Sequence, residues 1–93
     1  MRVTTIKNNQ YIINNGNETI FQSYNSIICK VDFENNIIII GKDWDYSNTT
    51  MKYFKAFLEH VGLDEMSGAN NTRKAINNGC YNDFKVIYDV TLN

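Results

Sequence analysis

Asp43 and Asp45, followed by the hydroxyl of Ser47, are the first side chains in this sequence whose spacing could do chemistry. Alternate oxygen donors of this kind open calcium-binding loops, which also need glycine at the sixth position and a bidentate glutamate at the twelfth. Counted from Asp43, those positions hold Asn48 and Phe54, so the pattern breaks off before it could form a cage. The two carboxylates have a simpler use just upstream of a helix start, where negative charge complements the macrodipole. A hydrolase or nuclease built on them is a minor reading, and a rise in melting temperature on adding divalent metal would support it.

His60 is the only histidine. A general base needs an orienting partner and a nucleophile. Glu59 adjoins it in sequence but points elsewhere on a helix, and Asp64 lies beyond Gly62, where a helix would already have ended. Cys29 falls on the expected inner face of a strand. Cys80 follows Gly79 with no basic cluster to lower its pKa. Gly16, Gly41, Gly62, Gly68 and Gly79 are scattered one per turn and form no phosphate-cradling loop. These residues specify no catalytic constellation, no cofactor and no metal, so the chain reads as a non-enzyme.

Two groups of residues suit recognition instead. Lys52, Lys55, Arg73 and Lys74, with Tyr53 nearby, form a cationic stripe that a small nucleic-acid-binding regulator would use. That reading predicts affinity falling steeply with salt, but nine basic against ten acidic residues, net −1, disfavour it. Tyr24, Trp44, Tyr46 and Tyr53 are aromatics of the type enriched at binding hot spots. Trp44 is expected to turn toward the core as a lid. Trp44, Asp45, Tyr46, Lys52 and Tyr53 are therefore the candidate partner-binding residues.

These side chains need a scaffold, and 93 residues suffice for a single domain. Hydrophobic residues at 43% and aromatics at 13% are too many for a disordered chain. Asn occurs fifteen times and Ile twelve times, while Pro is absent. The Asn pairs read as turn residues, because Asn tolerates left-handed backbone. The opening Met1–Lys7 has no apolar signal-peptide core, and no apolar run approaches the roughly 20 residues of a membrane span. The expectation is a cytoplasmic protein with free thiols, in which three glycosylation sequons carry no meaning.

The first forty residues read as strands. Gln10–Ile13 and Thr19–Gln22 flank an Asn-Gly turn. Ser26–Asp32 follows, with Ile27, Cys29 and Val31 pointing inward. A hairpin then leads into Ile37–Gly41, a central strand covered on both faces, or half exposed if only one face is covered. Ser47 caps a helix running to Val61, with Met51, Phe54, Phe57, Leu58 and Val61 as its apolar stripe and Gly62 as its stop. Leu63–Asn71 is a polar connection. A short second helix starts at Asn71 or Thr72 and ends at Asn78, and Phe84–Thr91 alternates as a final strand. The fold class is α+β, in the order β-β-β-β-α-α-β. It is an antiparallel meander of about four to five strands with both helices on one face. The small core and the Ile37–Ile40 run favour a homodimer.

The stretch Phe21–Ile28, then Asp32, the run Trp44-Asp45-Tyr46-Ser47-Asn48-Thr49-Thr50-Met51-Lys52-Tyr53, and Arg73-Lys74-Ala75-Ile76-Asn77-Asn78-Gly79 carry a resemblance. They resemble a family of small phage and prophage proteins of unknown function that share a WDYSxTTxK helix start. The resemblance implies an accessory protein in the cytoplasm of an infected or lysogenic bacterium. By analogy with anti-CRISPR proteins, it would inhibit a host defence or regulatory complex, either a host protein or a ribonucleoprotein, by direct contact. It supplies no catalytic residue.

Overall fold

The computed structural model describes residues 1–63 and 69–92. Seven strands and two helices follow one another: β1 (Arg2–Lys7), β2 (Gln10–Asn14), β3 (Glu18–Ser23), β4 (Ser26–Asp32), β5 (Ile37–Ile40), α1 (Asn48–His60), α2 (Ala69–Asn77), β6 (Cys80–Tyr81) and β7 (Phe84–Tyr88). They make an α+β fold around one sheet of order β1-β2-β3-β4-β5-β7-β6. The first five strands form an antiparallel meander, and the turns between them show why Asn is abundant. Asn9 and Asn36 take positive φ of 66° and 55°, left-handed backbone that Asn adopts at little cost.

The sheet differs from the sequence expectation in three respects. β1 and β6 are additional strands. β7 runs parallel to β5, with Ile38 opposite Val86, because the two helices carry the chain across before it rejoins the sheet. The alternation in β4 is also broken by a bulge opposite Phe21 and Gln22. Ile28 and Cys29 are therefore both buried, at 1% and 0% exposure, and Ile27 rather than Ile28 turns toward the other face.

Sheet register sorts the side chains into two faces. Ile12, Phe21, Cys29 and Ile40 are successive cross-strand partners on the helix side, where Phe21 stacks on Phe57 at 5.6 Å and on Phe54 at 6.3 Å. Met51 and Leu58 complete the buried stripe of α1. Ile13, Ile20, Lys30, Ile39 and Ile87 are the corresponding row on the opposite face. Ile37–Ile40 is thus covered on one side: Ile38 and Ile40 are buried, and Ile37 and Ile39 are half-buried.

The stop of α1 follows from local chemistry. Gly62 at φ 82° donates to Glu59 O, while Leu63 N donates to Leu58 O at 2.8 Å. That paired arrangement satisfies the last carbonyls of α1. α2 begins at Ala69, earlier than the Asn71 or Thr72 read from sequence, and anchors through Ile76, which is 4% exposed. Much of the expected polar connection between the helices lies outside the described residues, as does the stretch containing Asp64 and Gly68. No helix among the described residues is long and apolar enough to cross a membrane.

Candidate functional site

Gly41 sets the path from the sheet into α1. A Cβ there would stand 2.6 Å from Ile27 O and 3.1 Å from Leu92 O, so only glycine lets the chain leave β5 between two backbones. Two tight turns follow, Trp44 N to Gly41 O at 3.3 Å and Tyr46 N to Asp43 O at 3.2 Å. Ser47, in extended backbone, then caps α1. Its Oγ accepts from Thr50 N at 3.1 Å and lies 3.1 Å from Thr50 Oγ1.

These turns send the candidate residues in different directions. Trp44 is half-buried and meets Phe54 edge to face at 6.5 Å, the lid role expected of it. Asp43 and Asp45 diverge. Ser26 Oγ donates to Asp43 Oδ2 at 3.3 Å, whereas Arg73 Nε donates to Asp45 Oδ1 at 2.8 Å. The other guanidinium nitrogens of Arg73 reach Asn70 and Asn48, so this residue fastens α2 to the start of α1. Tyr46 is 78% exposed. Lys52 lies over the ring of half-buried Tyr53 at 5.3 Å.

The cationic stripe is consequently not a free set. Arg73 is paired with Asp45, and Lys55 Nζ reaches the buried Thr72 hydroxyl at 3.4 Å. Lys52 and Lys74 remain as exposed cations. No three His, Cys, Asp or Glu side chains among the described residues gather in a metal-binding cluster. His60 is exposed at the end of α1, beside a groove with Arg2, Thr4 and Thr19. Burial pushes the Cys29 thiol far above its ordinary pKa, while Cys80 is exposed.

The structure also assembles a cleft that sequence reasoning missed. Gln10, Ser23, Tyr24, Ser26 and Asp43 line it from the sheet and its loops, and Tyr46, Ser47, Thr49 and Thr50 line it from the start of α1. One signal for it was present in the sequence. Gln10 shares the phase of Ile12, so a polar amide stands on the core-facing side of β2.

Residues 1–78 match the model of DUF8033, a family of unknown function. The chain belongs to this family. The matched span of the DUF8033 domain takes in β1 to β5, both helices and the whole cleft, while β6 and β7 lie beyond it. No curated protein and no solved structure matches the chain.

Proposed function

We propose that this DUF8033 protein is a non-enzymatic binding protein that acts by protein–protein contact through the uncovered face of its sheet. The observation that carries the reading is the apolar row Val3, Ile13, Ile20, Ile39 and Ile87, on the face opposite the helices. Val3 is 54% and Ile87 37% exposed. The row is half-buried at Ile13 and Ile39 and buried at Ile20, with Lys30 between Ile20 and Ile39. Glu18, Asp32, Ile37 and Lys85 border it on one side and Tyr11, Gln22 and Ile27 on the other, a mixed polar and apolar rim that suits a recognition surface. Lys30 stands in the middle of the row, opposite Ile20 and Ile39, and is half-buried, as a lysine is when its stem lies on apolar surface and its charge stays outward. Tyr46 and Lys52 at the start of α1 are the second contact region.

The phage resemblance supplies the context. In this proposal the partner is a host defence or regulatory complex of an infected bacterium, and binding inhibits it. The test is affinity capture from a low-GC bacterial lysate with the wild-type chain, the double variant Val3→Lys/Ile87→Lys, and Tyr46→Ala. The expected result is a discrete host assembly held by the wild type, lost with the double variant and weakened with Tyr46→Ala. A folded double variant that retains the assembly in full would overturn the proposed surface. So would a wild-type chain that holds no assembly.

A further inference from the structure

The groove where α1 ends carries an inference independent of the uncovered sheet face. Its volume is about 460 Å³, within the range of small-molecule sites. Cross-strand register sets Arg2, Asn14 and Thr19 in one row on the helix side of the sheet, with Thr4 and Ile12 in the row beside it. His60 and Val61 close the groove from α1, and Phe33 closes it from the turn after β4.

Donors gather here without a counter-charge. The Arg2 guanidinium is always cationic, and the His60 imidazole offers an N–H in any protonation state. Neither makes a hydrogen bond or ion pair with the described residues, and no carboxylate lines the groove. Asn14 Oδ1 accepts from Gly16 N at 2.9 Å, which leaves the Asn14 NH2 to donate. The carbonyls at the end of α1 would oppose an anion. Those of Phe57, Leu58 and Glu59 already accept from Val61, Leu63 and Gly62, which mutes the opposition.

Thr19 adds an observation of a different kind. The residue is only 8% exposed, yet its hydroxyl has no hydrogen-bond partner among the described residues and is not one of their sealed polar atoms. Its oxygen therefore opens on the groove that it lines. Buried polar groups are nearly always partnered, so an accessible, unpartnered hydroxyl on the core side of a central strand suits a ligand.

The geometry points to this groove as a binding site for a small phosphate monoester. Its donors come from three strands and a helix, an approach from several directions that fits a tetrahedral group better than a planar carboxylate. Arg2 pairs with two phosphate oxygens, and Thr4, Asn14, Thr19 and His60 donate to the remaining lone pairs. The organic part of the ester lies against Ile12, Val61 and Phe33. Phe33 is 45% exposed and is held edge to face on Phe84 at 5.6 Å.

Titration of the intact, isotope-labelled chain by NMR tests this. The ligands are phenyl phosphate, uridine monophosphate and glycerol phosphate, with inorganic phosphate and benzoate as the bare anion and the carboxylate. Saturable shifts of the Thr4, Asn14, Thr19 and His60 amides are expected with at least one monoester, which should bind more tightly than inorganic phosphate or benzoate. Arg2→Gln, at an exposed position, should weaken that binding roughly ten-fold. Thr19→Val should weaken it about three-fold without lowering Tm, because the hydroxyl it removes bonds to nothing in the protein. Lys74→Gln removes an exposed cation outside the groove and should leave the affinity unchanged. Four results would each overturn the proposal: no saturable shift with any monoester, wild-type affinity in Arg2→Gln or Thr19→Val, a loss in Lys74→Gln as large as in Arg2→Gln, or preference for benzoate or inorganic phosphate over every monoester. None of them bears on capture of a protein partner through the sheet face.

Discussion

Replacing Ser47 with alanine removes the N-cap of α1. Two interactions go with it, the cap on Thr50 N at 3.1 Å and the contact with Thr50 Oγ1 at 3.1 Å. Loss of a serine N-cap costs about 1 kcal/mol, and the buried Thr50 hydroxyl, deprived of this partner, adds roughly 0.5–1 kcal/mol. The sum of about 1.5–2 kcal/mol is a sizeable part of the roughly 5–14 kcal/mol expected for 93 residues. For a domain of this size it lowers Tm by roughly 6–15 °C. Urea and thermal unfolding followed by circular dichroism would read the change, with an unaltered m-value showing that the native fold persists. Ser47→Asp supplies the control, because aspartate caps as well as serine and adds favourable charge at the N-terminus, so its stability should stay within about 0.3 kcal/mol of wild type. The double variant Ser47→Ala/Thr50→Val should cost less than the sum of its parts. A Ser47→Ala loss below about 0.5 kcal/mol would refute the capping account, as would an aspartate variant as unstable as the alanine one.

Gly41→Ala forces a methyl group against the backbone at Ile27 and Leu92. It should destabilise by about 1–3 kcal/mol and shift the amide resonances of the Lys42–Tyr46 turns, whereas a near-neutral substitution would contradict the close approach. Native protein treated with a thiol reagent should be modified at exposed Cys80 and spared at Cys29, whose buried thiol resists ionisation; peptide mapping distinguishes the two. The Asn35 side-chain amide, with the Asn35 and Glu34 N–H groups, holds the Asp32 carboxyl below its ordinary pKa, and the Thr91 hydroxyl does the same for Asp89. A carboxyl depressed in the folded state lends stability above its unfolded pKa and loses it as pH falls through the folded one. The Tm gap between wild type and Asp32→Ala should therefore narrow on acidification, and a gap that widens would reverse the argument.

Features set by one segment of chain were legible in the sequence. The 3.6-residue stripe from Met51 to Leu58, the Ser47 cap and the Gly62 stop needed no knowledge of neighbours, and Trp44 packs on Phe54 as its size suggested. Hairpins joined by a short turn, β2 with β3 and β4 with β5, were legible too, whereas irregular register and pairings between distant segments were not. The bulge that buries Ile28 exists only because β3 and β4 pair out of step. The parallel partner of β5 follows from where the helices return the chain, and β6 is two residues long. Of the proposed contact residues, Tyr46 and Lys52 are exposed, while Asp45 is committed to Arg73. Gln10 and Asp43 are thirty-three positions apart, and only the sheet brings them to one cleft.

The abundance of isoleucine gives the account its most direct test. Isoleucine methyl groups mark both sides of the sheet: Ile12, Ile38 and Ile76 in the core, and Ile13, Ile39 and Ile87 on the uncovered face. Methyl NMR of the selectively labelled chain, recorded with and without the captured host assembly, reads the two sets separately. Strong shifts or broadening are expected for Ile13, Ile39 and Ile87, with Ile12, Ile38 and Ile76 following only the overall tumbling. Unchanged methyls on the uncovered face in a saturated complex would contradict it.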